Sequence, residues 1–367
     1  MRIVIDGRIK GRSGIGRYCD QLLENLQKID STNEYIVLLP SIDYESWKPS
    51  AKNFRTVRAD YPPYSLKRQL ILPFVLYGLK PDIVHSVDFT LPIFYFGKRV
   101  ATVFDLTLVN FKNIRGGVLA RPLYVFRYWA MRLLLSTTIR NSMVITSTQY
   151  VKKDILSHWR GKSSDGVAIT PLGVDSLATT AKTYPGIEGD FLLYVGNFYP
   201  HKNIGQLLKA FVLIREQQPE LKLVIVGKAD YFQEQLRLLS EEIGLGDSVV
   251  WGGYVPDAQL EWLYEHAMAL VFPSLSEGFG LPALEAMAAG TPVISSNATC
   301  LPEVCGEAAE YFDPTDIDEI SQVVLKTIGD KARLKELKLA GAKRIQDFSW
   351  KKMAEETVAI YEDTFSK

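Results

Sequence analysis

Two glutamates with seven residues between them, Glu277 and Glu285, are the side chains best placed in this sequence to do chemistry. The apolar run 267–272 before them predicts a buried strand, and Pro282 is favourable in the first turn of a helix. The order is therefore strand, glycine-rich turn and helix. The N–H groups of such a turn and of the helix N-terminus lack partners within the helix, so they favour an anion such as phosphate.

The two glutamates add hydrogen-bond acceptors beside this anion site. A carboxylate accepts hydrogen bonds and donates none, so both residues suit the hydroxyls of a sugar or ribose attached to a phosphate. The alternative is that Glu277 is a solvated loop residue and Glu285 an ordinary acid favoured by the helix dipole. That alternative is the better explanation of either residue alone, whereas the pair around two glycines favours a nucleotide-sugar pocket. Its backbone positions are Gly278, Phe279, Gly280 and Leu281.

Length and composition indicate a soluble protein of two domains. The chain has 367 residues, enough for two domains of about 180 residues each. No apolar run approaches the ~20 residues of a membrane span, and the first residues predict a short strand rather than a signal peptide. The three cysteines have neither metal-ligand nor disulfide-framework spacing. We therefore expect a cytoplasmic protein without a metal site.

Charge is distributed unevenly although the net charge is zero. Residues 1–180 contain 25 Lys and Arg against 14 Asp and Glu, whereas the remaining residues contain 17 against 28. The basic half could attract an anionic lipid, a phosphorylated acceptor or nucleic acid. Because no nucleic-acid-reading motif is present, nucleic acid is not expected as a partner. Drift of surface charge is the alternative explanation.

Each half of the chain begins with the same order of elements. Residues 2–5 predict a strand, 6–17 a glycine loop and 18–29 a helix, and residues 191–203 repeat the strand and turn before another helix. This order is typical of Rossmann-like domains. The spacing Gly14-x-Gly16 lacks the third glycine of the dinucleotide fingerprint, so NAD binding is not indicated.

The glutamate pair, followed by Gly290-Thr291-Pro292-Val293-Ile294, resembles the retaining glycosyltransferases of family 4. The glycine loop Gly14-Ile15-Gly16-Arg17 is similar to the N-terminal loop of that family, and the beginning of the chain resembles bacterial surface-polysaccharide mannosyltransferases. The resemblance implies the α/β fold called GT-B, in which two Rossmann-like parallel-sheet domains face a cleft and a C-terminal helix crosses back to the first domain. The expected domains are 1–172, joined by the helix 350–367, and 173–349.

The resemblance also implies roles for the site residues. Glu277 would hold hydroxyls of the transferred sugar, Glu285 the ribose, and the backbone near Val255 the edge of the base. Lys202 matches one of two family cations near the diphosphate, whereas Asn197 stands where the other is usually Arg. Gly14, Gly16 and Arg17 would approach the diphosphate and the acceptor, although a solvated Arg at a helix start explains Arg17 equally well.

Phe104-Asp105 departs from the family, whose members usually have His before this aspartate. Asp105 is then the nearest carboxylate that could position or deprotonate an acceptor hydroxyl. Helix capping or a backbone hydrogen bond at a strand end is an equally good explanation of Asp105. The departure leaves open a second class of function, a nucleotide-sugar-binding protein of impaired catalysis.

The implied reaction transfers a hexose from a nucleotide diphosphate sugar to a hydroxyl, with retention of configuration and without a metal. GDP-mannose is the first expectation for the donor, which is a co-substrate, so no bound cofactor is expected. The acceptor would be a glycan or a polyisoprenyl-diphosphate-linked glycan of a surface polysaccharide or lipopolysaccharide.

The segment 115–140, rich in Arg and aromatic residues, predicts a long helix after Pro122. Basic and aromatic residues together suit an anionic membrane at the inner face of the plasma membrane. The alternative is an ordinary domain helix with one buried face and solvated arginines.

Overall fold

The computed structural model of the protein describes residues 1–11, 14–61, 65–111, 121–174 and 180–367, with residues 121–124 described by their backbone alone. The chain forms two compact units. Unit 1 comprises Met1–Gly173 together with Ser349–Lys367, and unit 2 comprises Val174–Phe348. The C-terminal segment therefore returns to the first unit.

The described part of unit 1 contains a seven-stranded sheet in the order β3-β2-β1-β4-β5-β6-β7, and its strand pairs are parallel. Its strands are β1 (Arg2–Asp6), β2 (Glu34–Leu39), β3 (Phe54–Arg58), β4 (Ile83–Ser86), β5 (Arg99–Thr102), β6 (Met143–Thr146) and β7 (Val167–Ile169). Its helices are α1 (Gly14–Ile29), α2 (Ser41–Ser46), α3 (Leu66–Leu79), α4 (Thr107–Asn110), α5 (Arg121–Asn141), α6 (Gln149–His158) and α14 (Trp350–Ser366).

Unit 2 contains a six-stranded parallel sheet in the order β10-β9-β8-β11-β12-β13. Its strands are β8 (Phe191–Val195), β9 (Lys222–Val226), β10 (Val249–Gly253), β11 (Ala269–Phe272), β12 (Val293–Ser296) and β13 (Ala309–Phe312). Its helices are α7 (Ile204–Gln217), α8 (Tyr231–Glu242), α9 (Asp257–His266), α10 (Leu281–Ala288), α11 (Leu301–Cys305), α12 (Ile317–Gly329) and α13 (Lys331–Arg344).

Both sheets are Rossmann-like, as predicted, and each has a point where the strand order reverses. The reversal lies between β1 and β4 in unit 1 and between β8 and β11 in unit 2. The loops that follow these strands diverge to opposite sides, which opens a crevice at the carboxyl edge of the sheet. In unit 2 these are the loops after Val195 and after Phe272, and they contain Lys202 and Glu277.

Helix α1 begins earlier than predicted. It starts at Gly14, so the predicted glycine loop through Arg17 is wrong and Gly16 lies in the first helical turn. A Cβ atom at Gly16 would lie 2.7 Å from the carbonyl oxygen of Ile9. The glycine is therefore needed for close packing of the helix on the preceding loop.

Helix α3 begins at Leu66 and continues through Pro73. Its inner face, with Leu72 and Leu76, packs into the core under the sheet of unit 1. That burial outweighs the loss of one hydrogen bond at the proline.

Helix α14 is fixed to unit 1 by buried polar contacts. The Tyr361 hydroxyl lies 2.6 Å from Nδ1 of His85 at β4, and Nε2 of His85 lies 2.9 Å from the Thr102 hydroxyl at β5. Burial lowers the pKa of His85 to about 3. His85 is therefore a structural, hydrogen-bonded histidine.

Candidate functional site

An almost buried ion pair joins the two loops at the strand-order reversal of unit 2. The Nζ atom of Lys202 lies 2.6 Å from Oε1 of Glu277, and the two side chains are 13% and 11% exposed. Lys202 ends a short 3-10 turn after β8, and Glu277 lies in the turn between β11 and α10. The structure therefore brings together two residues that the sequence assigned to one donor site.

The turn that contains Glu277 is fixed by a set of short polar contacts. The Ser274 hydroxyl donates to Oε1 of Glu277 at 2.7 Å, and the Glu277 N–H donates to the Thr299 hydroxyl at 3.2 Å. The Cys300 thiol donates to the Glu277 carbonyl at 3.2 Å. Burial, with the nearby Glu277 charge, raises the pKa of this thiol well above its ordinary value. Cys300 is thus a protonated structural donor and not a thiolate nucleophile.

The loop around Lys202 is tied to the same turn through the backbone. The Leu275 N–H donates to the His201 carbonyl at 2.8 Å, and the Asn203 amide donates to the Pro273 carbonyl at 3.1 Å. Asn203 adopts the left-handed conformation, with φ of 61°, immediately before α7. These contacts hold the Lys202 backbone in place relative to Glu277.

Helix α10 presents its first N–H groups at this turn. Its N-cap residue is Gly280, with φ of 96°, a conformation that favours glycine, and Pro282 lies within the first turn. The Phe279 side chain is buried and packs edge to face on Phe348, with ring centroids 5.5 Å apart. Only the backbone of Phe279 can therefore contribute to an anion site, together with those of Gly278, Gly280 and Leu281.

The second glutamate, Glu285, is buried in α10, one turn beyond the N-terminus. The Tyr264 hydroxyl of α9 donates to its Oε2 atom at 3.1 Å. This contact fixes the carboxylate, because Tyr264 is itself completely buried. Sequence reasoning did not identify Tyr264 as a member of the site.

Two neighbouring strands of unit 2 are followed by glycines whose backbones lie close together. A Cβ atom at Gly227, after β9, would lie 1.9 Å from the carbonyl oxygen of Gly196, after β8.

Val255 follows β10 and is buried, so its backbone is the part that could meet a base. Asn197 is exposed, and its Oδ1 atom accepts from the Tyr199 N–H at 3.3 Å. It supplies no cation, so the positive charge among the predicted site residues of unit 2 rests on Lys202.

In unit 1 the predicted residues lie at helix starts. Gly14 is exposed, Gly16 is buried and Arg17 is half-buried in the first turn of α1. Asp105 is exposed, and its Oδ1 atom accepts from the N–H of Thr107, the first residue of α4, at 2.8 Å. The backbone hydrogen bond is thus present, and the proposed role of Asp105 towards an acceptor stays a prediction.

A buried charge network at the strand-order reversal of unit 1 was missed by sequence reasoning. The Arg8 and Arg68 guanidinium groups lie 2.6 and 2.7 Å from Oδ2 of Asp6, and Arg68 also lies 3.3 Å from Asp88. Burial opposes ionisation of Asp6, but the two arginines outweigh it and hold the pKa of its carboxyl well below its usual range.

Neither a metal-binding cluster nor a membrane-spanning helix occurs among the residues that the structure describes. No group of three or more His, Cys, Asp or Glu side chains there could hold a metal ion. Within the same residues, no helix is both long and apolar enough to cross a bilayer.

The known proteins that this chain is similar to are named as glycosyltransferases. Residues 185–344 match the family described as glycosyl transferases group 1. The chain is 28% identical to the O-antigen chain mannosyltransferase B of Escherichia coli, over 95% of this chain and 96% of that protein. It is 32% identical to the MMP alpha-(1->4)-mannosyltransferase of Mycolicibacterium hassiacum, over 61% of this chain and 54% of that one.

The fold is similar to that of the sucrose-phosphate synthase from Thermosynechococcus elongatus, with a TM-score of 0.75 and 23% identity. The superposition covers 100% of this chain and 99% of the synthase. The predicted GT-B fold class is thereby confirmed, as is the resemblance to glycosyltransferases.

Proposed function

We propose that this chain, whose second unit contains a group 1 glycosyltransferase domain, transfers a hexose from a nucleotide diphosphate sugar to a glycan hydroxyl with retention of configuration. The observation that supports it most is the Lys202–Glu277 pair beside the N-terminus of α10. A cation and a row of backbone N–H groups suit a diphosphate, and a fixed carboxylate beside them suits the hydroxyls of the attached sugar.

Departure of the nucleoside diphosphate is the main charge problem of the reaction. Lys202 and the first N–H groups of α10 would stabilise the charge that develops on the leaving group. Gly14, Gly16 and Arg17 are proposed to approach the same diphosphate from unit 1. Positioning of the sugar by Glu277 would supply a further part of the rate enhancement.

The remaining donor contacts follow from burial and hydrogen bonding. Glu285, held by Tyr264, would accept from the ribose hydroxyls, and the backbone at Val255 would meet the edge of the base. Asn197, with its exposed side chain, is proposed as a neutral contact near the diphosphate. No protein nucleophile and no metal is assigned, and Asp105 is the proposed contact of the acceptor hydroxyl.

Mannose from GDP-mannose is the proposed sugar, supported by the two relatives named as mannosyltransferases. The proposed acceptor is a glycan, free or linked to a polyisoprenyl diphosphate, in surface-polysaccharide synthesis. The proposed location is the cytoplasm, with peripheral contact at the inner face of the plasma membrane. Exposed Phe126, Trp129 and Leu133 on α5 support such contact.

A thermal-unfolding screen across nucleotide sugars tests the donor. We expect one sugar nucleotide to raise the unfolding midpoint more than its free nucleotide does, because only a ligand that binds the folded state stabilises it. A radiolabelled transfer assay then tests the reaction: Glu277→Ala should nearly abolish transfer, while Glu241→Ala, an exposed glutamate of α8, should retain it. Full activity of Glu277→Ala would overturn the assignment.

A second function is supported by the residues around the acceptor position of unit 1. Phe104 packs edge to face on Tyr18, with ring centroids 5.0 Å apart, and Asp105 is engaged with the start of α4. A nucleotide-sugar-binding protein without transfer would bind the donor in a calorimeter and give no glycosylated product with any acceptor.

A further inference from the structure

We propose that unit 1 docks on an anionic membrane surface through an exposed apolar surface formed by α3 and the loop between β4 and β5. This docking surface consists of Leu66, Leu70, Phe74, Tyr77, Phe94 and Phe96. The inference deepens the proposed function, since it specifies how the protein would reach a lipid-linked acceptor. Its evidence is independent of the donor site.

Helix α3 is apolar on both faces, but only one face is covered. Leu72 and Leu76 on the inner face are 1% and 0% exposed, whereas Leu66 and Phe74 on the outer face are 79% and 77% exposed. A helix that is apolar all round is normally buried on all sides. Among the residues that the structure describes, none covers the outer face of α3 as its composition would lead one to expect.

The loop extends this apolar face and is held rigidly against it. The Tyr77 hydroxyl donates to the Phe94 carbonyl at 3.2 Å and accepts from the Phe96 N–H at 3.0 Å. The Ile93 N–H donates to Oε1 of Gln69 at 3.0 Å. Phe94 and Phe96, which are 56% and 76% exposed, thus form one continuous surface with α3. Contiguous exposed apolar surfaces of this kind mark interaction sites.

Charge indicates what this surface contacts. The stretches 65–81 and 89–104 contain no Asp or Glu, while Lys67, Lys80 and Lys98 along them are exposed. Aromatic and leucine side chains surrounded by lysines, without carboxylates, match an interface of acyl chains and anionic headgroups. The stems of Lys67 and Lys80 can lie along the apolar surface while their ammonium groups reach the phosphates. The Lys98 ammonium donates to the Phe365 carbonyl of α14 and adds positive charge at the edge of the surface.

Vesicle flotation with the whole chain tests the proposal. We expect the protein to float with vesicles of phosphatidylcholine and phosphatidylglycerol, and much less with phosphatidylcholine alone. The double variant F74S/F96S should bind the anionic vesicles on the order of tenfold more weakly, since two inserted aromatic rings are lost. The control I42S/L339S replaces two apolar residues that are 70% and 65% exposed outside the docking surface, and it should bind as the original protein does.

Transfer to a water-soluble acceptor without vesicles separates docking from catalysis. We expect F74S/F96S to keep this activity and its unfolding midpoint, because both side chains are exposed. Loss of vesicle binding with soluble transfer intact supports the proposal. Equal flotation of F74S/F96S and the original protein overturns it. A second result would also overturn it: if the original protein is a dimer and F74S/F96S a monomer, the surface contacts a second copy of the chain. If even the original protein transfers no sugar to the water-soluble acceptor, the proposed function is wrong. Vesicle binding then still tests the docking surface.

Discussion

Lys202 and Glu277 lie 75 positions apart in the sequence, yet their charged atoms are 2.6 Å apart and nearly shielded from water. The cation proposed for the diphosphate and the carboxylate proposed for the sugar thus contact each other directly. In such a buried pair, removal of one charge leaves the other uncompensated. The two residues should therefore affect binding of the nucleoside diphosphate alone in opposite directions.

Glu277→Gln tests this coupling. We expect transfer to fall on the order of a hundredfold or more, because the carboxylate that positions the sugar is lost. The affinity for the nucleoside diphosphate alone should stay equal or rise, because Lys202 then has no competing anion within the protein. Lys202→Ala should weaken the same affinity by roughly tenfold or more. Isothermal calorimetry with the nucleoside diphosphate measures both, and weaker binding by Glu277→Gln than by Lys202→Ala would contradict the coupling.

Tyr264→Phe tests whether Glu285 holds the ribose. The substitution removes one hydroxyl that donates to the buried Glu285 carboxylate and keeps the ring in place. We expect the KM for the donor to rise several-fold, corresponding to about 1 kcal/mol, with kcat nearly unchanged. Tyr231→Phe, at an exposed tyrosine of α8, is the matched control and should leave KM unchanged. A fall in kcat at constant KM would instead place Glu285 at the reacting centre.

Much of the donor unit follows from local sequence. The strand before Glu277, the glycine at the N-cap of α10 and the helix beyond it are all visible in one stretch of sequence, because each depends on neighbouring residues. The same holds for the alternation of strands and helices that predicts two Rossmann-like sheets. Gly16 was misplaced in a loop because its close approach to Ile9 is a tertiary contact.

The long-range polar contacts could not be predicted. The network around Asp6 joins Arg68, which is 62 positions away, and the His85–Tyr361 contact spans 276 positions. Nothing in the local pattern distinguishes Arg68 from the exposed Lys67 beside it. Only the packing of α3 on the sheet makes one residue a buried ion-pair partner and leaves the other on the surface.

Arg68→Met tests the energetic role of the network in unit 1. Arg68 is 2% exposed, and its removal leaves the Asp6 and Asp88 carboxylates buried with less compensation. We expect the free energy of unfolding to fall by roughly 3–5 kcal/mol. The control Arg58→Met breaks an exposed pair with Asp60 and should change the free energy of unfolding far less. Equal effects of the two substitutions in urea denaturation would show that the buried network contributes no more than a surface pair.

Acid should weaken the fold through His85 in a defined pH range. Burial lowers the pKa of His85 from 6.5 to about 3, so the folded protein keeps this imidazole neutral where the unfolded chain takes up a proton. The free energy of unfolding must then fall as the pH decreases from 6.5 towards 3, by up to about 1.4 kcal/mol per pH unit, and His85 adds no pH dependence above that range.

His85→Gln removes this titration while keeping a side chain that can bond to Tyr361 and Thr102. We expect the variant to be less stable at pH 7 but to lose less stability between pH 6.5 and pH 5, where most carboxylates stay ionised. The control is His158→Gln, at an exposed histidine of the same unit, and His85→Gln should reduce the slope more than this control does. The slope depends on proton uptake and not on packing. A slope unchanged by His85→Gln would therefore mean that His85 is protonated in the folded protein at these pH values. The contact between a neutral His85 and Tyr361 on α14 would then be wrong.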